Sequence, residues 1–253
     1  MAIGAGPIDR PAFAAEEDDA PIFDPTEARV SQWIERDPVI GSIWRGDAEV
    51  GFLETQGNEN ISSLLVKLRL HNEREQWRHA GRGDFIFREG DEGDYSKQHR
   101  VLQKSAYKIS IADYLFEQLK YEHNRSQGFR YRFSEVVGYG RRVIGRRTVT
   151  LDLETGPGLR QTLAKSGRQI EEPILAFTAE LNWDITGSSN FNEYITVEAG
   201  EENTVTDSLT TLTLQVEDHF SARFAFEVVN SSTVSEGVEH TDRITSVTLV
   251  YTF

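Results

Sequence analysis

The feature that most constrains this chain is a period of two in hydrophobicity, which begins near Trp44 and persists to Phe253. Leu64, Val66, Leu68 and Leu70 alternate with Ser63, Lys67, Arg69 and His71, and Leu65 is the one apolar exception. Leu175, Phe177, Ala179, Leu181 and Trp183 alternate with Thr178, Glu180, Asn182 and Asp184, and Ala222, Phe224, Phe226 and Val228 with Arg223 and Glu227. Successive side chains of a strand point to opposite faces, so each run reads as a strand with one apolar and one wet face. The alternation predicts twelve strands, near 44–54, 61–72, 76–89, 98–110, 114–124, 129–143, 147–160, 173–184, 190–200, 208–217, 220–230 and 242–253. Connections after odd strands are expected to be longer and polar (Glu89 to Ser96, Gln161 to Glu172, Asn230 to Thr241), and those after even strands tight.

Twelve long strands in one meander, with loops sorted by end, fit a closed cylinder better than a sandwich. Closure satisfies every backbone group and leaves no edge. If the apolar faces meet lipid, the charged faces line the interior, and the reading is a transmembrane up-and-down antiparallel β-barrel of about 12 strands. No apolar run approaches the roughly 18 residues of a spanning helix, but a barrel hides its apolar band in alternate residues. Trp44, Trp77, Tyr114, Trp183, Phe220 and Tyr251 fall near predicted strand ends and together fit interfacial aromatic girdles. An even strand count puts both termini at one end, the periplasmic one.

Residues 1–43 differ. They hold five of the seven prolines and the run Glu16-Glu17-Asp18-Asp19. Asp24 as cap, Pro25 at the first helical position and Glu27 predict a short helix over 25–36, with Val30, Trp33 and Ile34 on one face. Ala12-Phe13-Ala14 resembles a signal-peptidase site, but Asp9, Arg10 and two prolines interrupt any apolar core before it. The expected division is an N-terminal tail over 1–43, with residual or replaced signal character, and a barrel over 44–253.

Several segments resemble a known family. Gly46-Asp47-Ala48-Glu49-Val50-Gly51-Phe52 followed by Thr55-Gln56-Gly57-Asn58 is similar to the first hairpin of the YdiY-like salt-induced outer-membrane proteins. Trp77-Arg78-His79, Leu119-Lys120-Tyr121-Glu122 and Glu154-Thr155-Gly156-Pro157-Gly158-Leu159-Arg160 resemble that family at comparable spacing. The ending Val247-Thr248-Leu249-Val250-Tyr251-Thr252-Phe253 resembles the C-terminal signal read by the barrel-assembly machinery, with Tyr251 and Phe253 as its aromatic marks. The resemblance covers about 44–253. It implies a barrel in the outer membrane of a Gram-negative bacterium, contacting outer-membrane lipid and lipopolysaccharide, and carries no settled activity.

Charge is unevenly placed. The chain has 41 acidic and 27 basic residues and a net charge of −14, which argues against nucleic acid as a partner. Residues 1–44 and 185–253 are strongly acidic, and the stretch between them is near neutral. On the inward phase the bases Lys67, Arg69, Arg78, Arg82, Arg100, Lys104, Arg130, Arg132 and Arg160 come from strands two to seven, with Glu154 among them. Strands eight to twelve supply mainly Glu180, Asp184, Glu198, Glu217 and Glu227, with Arg223 the exception. Opposed charge rows predict a lumen that selects small polar or ionic solutes. The same residues also fit a lumen filled by ion pairs that conducts nothing, which would make the protein a structural or binding component. A lumen closed by Arg–Glu pairs would favour that alternative.

Two carboxylates, Glu117 and Glu135, fall on the lipid-facing phase. The expectation is that a bulge turns both inward; the alternative is an outward contact for an oligomer, ion or headgroup. A lipid-modifying barrel enzyme is the third reading. It finds only His123 and Ser126, whose spacing of three places them on opposite faces of a strand, so no catalytic residue is assigned. The six histidines form no ligand-spaced cluster, and there is no cysteine; neither metal nor cofactor is expected.

Overall fold

The computed structural model describes residues 44–56, 61–89, 95–124, 127–234 and 237–253. The tail and helix expected within 1–43 lie outside the described residues. The strands are β1 (Arg45–Gln56), β2 (Ile61–Glu73), β3 (Trp77–Glu89), β4 (Tyr95–Lys108), β5 (Asp113–His123) and β6 (Phe129–Gly145). They continue as β7 (Val149–Ala164), β8 (Gln169–Thr186), β9 (Ser189–Gly200), β10 (Thr204–Glu217), β11 (Phe220–Ser231) and β12 (Thr241–Thr252). Each pairs antiparallel with its chain neighbours, and β1 pairs with β12 to close the ring. At the seam Gly46 N–H donates to the Phe253 carbonyl at 3.2 Å, and Phe253 N–H returns the bond at 3.0 Å.

The alternation and the register agree. Val50, Leu68, Val101, Leu115, Val137, Leu153, Phe177, Ile195, Phe226 and Val247 all face outward and are exposed. Asp47, Glu49, Lys67, Asp84, Glu122, Arg132, Arg160, Glu198, Arg223 and Glu227 face inward and are buried. Water would select the opposite distribution, with charges outside; a lipid exterior accounts for this one.

Two expectations are corrected. The connection expected over Gln161–Glu172 spans only residues 165–168, because β7 and β8 stay paired through Gln161↔Glu171 and Leu163↔Gln169. Polar side chains on both faces erase the alternation there, while the backbone ladder continues. The connection after β9 is residues 201–203, as short as the turns at the other end, so loop length is only partly sorted by end.

Tyr114 is not part of an outward girdle. It is 5% exposed and faces inward, where with Ala106, Phe116, Val136, Ile174 and Ala176 it forms an apolar cluster inside the barrel. The cause is a pair of glycines. Gly138 and Gly140 share the inward phase of β6, and a Cβ on either would run into the Phe116 or Tyr114 ring. The missing side chains are the space these rings fill. Trp44, Trp77, Trp183, Phe220 and Tyr251 are outward and exposed. Phe220 and Tyr251 pack with centroids 5.3 Å apart, and Trp77 meets Tyr107 edge-on at 5.2 Å.

Candidate functional site

The barrel interior is the candidate site, and strand register determines which charges meet. Lys67 lies opposite Asp84, Arg100 opposite Glu122, and Arg142 opposite Asp152, each pair on one inward row. Arg142 clamps Asp152 through two hydrogen bonds of 2.7 and 2.8 Å. Arg82 pairs with Asp84 at 2.8 Å, and Arg160 with Glu172 at 2.8 Å. The Arg142 and Arg160 pairs link strands already joined by backbone, the Arg82 pair lies within β3, and all three hold long side chains against the wall.

Others cross the interior. The Arg100 guanidinium on β4 bonds Glu122 at 3.0 Å and Glu227 on β11 at 2.6 Å, and it lies 3.5 Å from Asp207 on β10. β4 and β10 are six strands apart in a ring of twelve, so this contact spans the barrel. Lys120 on β5 reaches Glu198 on β9, which also lies 3.5 Å from Arg160 on β7. Lower down, Lys104 on β4 reaches Glu154 on β7, which accepts a 2.7 Å hydrogen bond from Tyr114. At the β1–β12 seam Arg69 and Arg223 both engage Glu49, with Asp47 2.9 Å from Arg69. A buried charge is tolerated when its counter-charge is close and its hydrogen bonds are made. The network supplies the close counter-charges, while its hydrogen bonding is incomplete: among the described residues Glu122 Oε2, Arg132 Nε and Asp207 Oδ1 are buried without a hydrogen-bond partner.

Of the inward candidates, Lys67, Arg69, Arg82, Arg100, Lys104, Arg132, Arg160, Glu154, Glu198 and Glu227 all lie in this interior. Arg78 lies over the Tyr114 ring at 4.7 Å, Glu180 accepts from Asn182 at 3.4 Å, and Asp184 accepts from Asn190 at 3.0 Å. Two candidates are misplaced. Glu217 is exposed at the end of β10 beside a register shift, and Arg130 is exposed beside the bulge between Phe129 and Tyr131. The bulge buries Phe129, on which Arg132 stacks at 4.2 Å.

The division into a basic and an acidic wall is also corrected. Asp84, Glu122 and Asp152 stand among the bases, while Asp47 and Glu49 meet Arg69 and Arg223 at the seam. These acids share the inward phase of their strands, so the alternation could have found them; sorting the charges by sign along the chain did not. Lys67 is buried, has no hydrogen-bond or ion-pair partner among the described residues, and lines a recess with Leu65, Asp84, Arg100, Glu122 and Glu227. Among the described residues no group of three His, Asp or Glu is gathered as a metal site.

Glu117 and Glu135 are corrected as well. β5 and β6 pair without a shift through Leu119↔Glu135 and Glu117↔Val137, so both carboxylates face outward, on a diagonal and not directly opposite. His123 also faces outward, stacked on His99 at 4.9 Å.

A closed twelve-strand barrel with an apolar exterior and a charged, ion-paired interior defines a transmembrane β-barrel of the outer-membrane porin-like class. Among solved structures the NanC porin is similar, with a TM-score of 0.56 at 8% identity, covering 81% of this chain and 98% of that one. That likeness is one of fold. The family model described as "Protein of unknown function, DUF481" matches residues 48–253, and the chain belongs to that family. The Uncharacterized protein YdiY of Escherichia coli (strain K12) is 26% identical over 211 residues, 82% of each chain.

Proposed function

We propose that this barrel gives small polar or ionic solutes a narrow passage across the outer membrane, pinched toward its loop end by ion pairs from opposite walls. The observation that carries the reading is the contact of Arg100 with Glu227 and Asp207, from strands across the ring. The Arg100 and Asp207 side chains keep 20% and 15% of their surface open to solvent, so water reaches the pinch from at least one side. Fixed charges of both signs at a constriction select ions by field and size together. Both termini belong to one end, which this reading places in the periplasm, with the last strand and its Tyr251 and Phe253 offered to the assembly machinery and the loops facing lipopolysaccharide.

The test is conductance of the refolded protein in a planar bilayer under a salt gradient, with heat-shifted gel mobility as the folding control. Small, ion-selective steps are expected. Arg100→Ala removes the bridging cation and should raise the step size several-fold and shift selectivity toward cations. Silence from folded wild-type and folded Arg100→Ala protein overturns the channel reading.

A second reading, a non-conducting barrel that stabilises the membrane or binds a partner through its loops, is favoured by the fully buried Arg160, Arg223, Glu49 and Glu198. In it the network is a permanent core, and Arg100→Ala lowers stability without producing current.

A further inference from the structure

The outer surface over β3–β6 carries carboxylates without a partner on a neighbouring strand, whereas the outward Glu193 on β9 accepts from Ser208 at 2.9 Å and Thr210 at 2.6 Å on β10. The lower edge of the β3–β6 surface carries the exposed rings of Trp77, Tyr107 and Tyr139, and its upper edge the stacked rings of His99, Tyr121 and Tyr131. Between these rows, among Val101, Leu119 and Val137, stand His79, Gln103, Ser105, Glu117 and Glu135. Ser105 Oγ accepts from Gln103 Nε2 at 2.7 Å and bonds His79 Nδ1 at 2.9 Å. That leaves the second imidazole nitrogen and the remaining amide groups of Gln103 facing out. Glu117 and Glu135 have no hydrogen-bond or ion-pair partner among the described residues and are exposed. On β3, next to Gln103, Gly81 leaves an open position where a Cβ would meet nothing within 4 Å, while the Phe85 ring covers Gly83.

Unsatisfied carboxylates in an apolar band are unfavourable unless something covers them. The arrangement indicates what does. Donors sit on β3 and β4 and acceptors on β5 and β6. A two-fold axis along the membrane normal, passing between β4 and β5, lays β5 against the β4 of a second copy and β6 against its β3. Depth is unchanged by that operation. By register Ser105 is level with Glu117, and Gln103 and Gly81 are level with Glu135, so each Glu117 then faces a Ser105 and each Glu135 comes against the open Gly81 position beside Gln103, without setting like charges against each other. The open position at Gly81 lets the two walls approach closely there, as small residues do between membrane helices.

We propose that this face is a two-fold interface between copies of the chain in the membrane, with Glu117 and Glu135 as its acceptors.

The chain has no cysteine, so single introduced cysteines report proximity without background. Val101→Cys and Leu119→Cys flank the proposed axis, and Phe224→Cys lies on a distant wall. Oxidation in native membranes should link the first two to twice the monomer mass and leave the third monomeric. Adding Glu117→Ala and Glu135→Ala should lower the linked fraction at least several-fold, while Glu117→Gln and Glu135→Gln, which keep an acceptor oxygen, should retain most of it. Folding is checked by heat-shifted mobility in every variant. Three results each overturn the proposal: folded but unlinked Val101→Cys and Leu119→Cys, linkage equally strong at Phe224→Cys, or a product of another mass, which would mean a different partner. Channel activity plays no part in the readout, so this test stands or fails separately from the function proposed above.

Discussion

Arg223 illustrates the cost of charge inside the barrel. Its side chain is 1% exposed, meets Glu49 at 0% exposure, and donates through Nε to Thr213 at 3.0 Å. Taking one partner from such a pair strands the other in a poorly solvated place, which typically costs 3 kcal/mol or more, whereas replacing both by apolar groups of similar volume is often close to neutral. Arg223→Met alone should therefore lower unfolding free energy in lipid vesicles by about 2–3 kcal/mol, a little below the usual cost because Arg69 still holds Glu49. Arg223→Met with Glu49→Leu should recover at least half of that loss. Guanidinium unfolding followed by tryptophan fluorescence reads both, and a double variant worse than the single would refute the pairing. At this scale the sequence reveals the phase of a residue but not its partner. Arg100 and Glu227 are 127 positions apart, and only the closure of the ring brings them together.

At the scale of elements, the strands were legible because the lipid band imposes a strict two-residue period on their middles. Their upper ends were not. Above the band both faces are wet, the alternation disappears, and Gln161–Ala164 reads as loop although its backbone is paired. The glycine pairs are a second signal that hydropathy overlooks. Gly138 and Gly140 repeat at the strand period, and what they encode is room for Phe116 and Tyr114 on the neighbouring strand. A Cβ at Gly140 would collide with the Tyr114 ring, so Gly140→Ala should cost about 1–3 kcal/mol as overpacking does. Tyr114→Ser should itself destabilise by emptying the cluster and losing the bond to Glu154. Combined with Gly140→Ala it should cost less than the two changes summed, since the clash is gone. Additive losses in that double-mutant cycle would mean the ring does not depend on the glycine.

For the whole molecule, the distribution of charge and apolar surface is a statement about solvent. Closure and strand number followed from counting the alternating runs. The cross-barrel contacts and the polar face on β3–β6 did not, because both depend on which strands end up opposite or adjacent in a tilted cylinder. If the exterior meets lipid, a cation placed at mid-band must be penalised by depth, and one placed at the same height inside must answer to different neighbours. Val247 on β12 is 49% exposed, on the outward face four residues before the Tyr251 girdle position. Val247→Arg should lower stability in phospholipid vesicles by about 2–4 kcal/mol, whereas Tyr251→Arg, nearer the interface, should lose roughly 1 kcal/mol of cation penalty plus its ring packing on Phe220. A barrel whose apolar face met water would accept Val247→Arg almost without cost, since exposed positions tolerate charge. The depth dependence of that penalty, measured from guanidinium midpoints in bilayers of two thicknesses, therefore separates a membrane-spanning cylinder from a soluble one. In the thicker bilayer the gap between the two variants should narrow, because the girdle position is drawn toward the hydrocarbon while the mid-band position is already there.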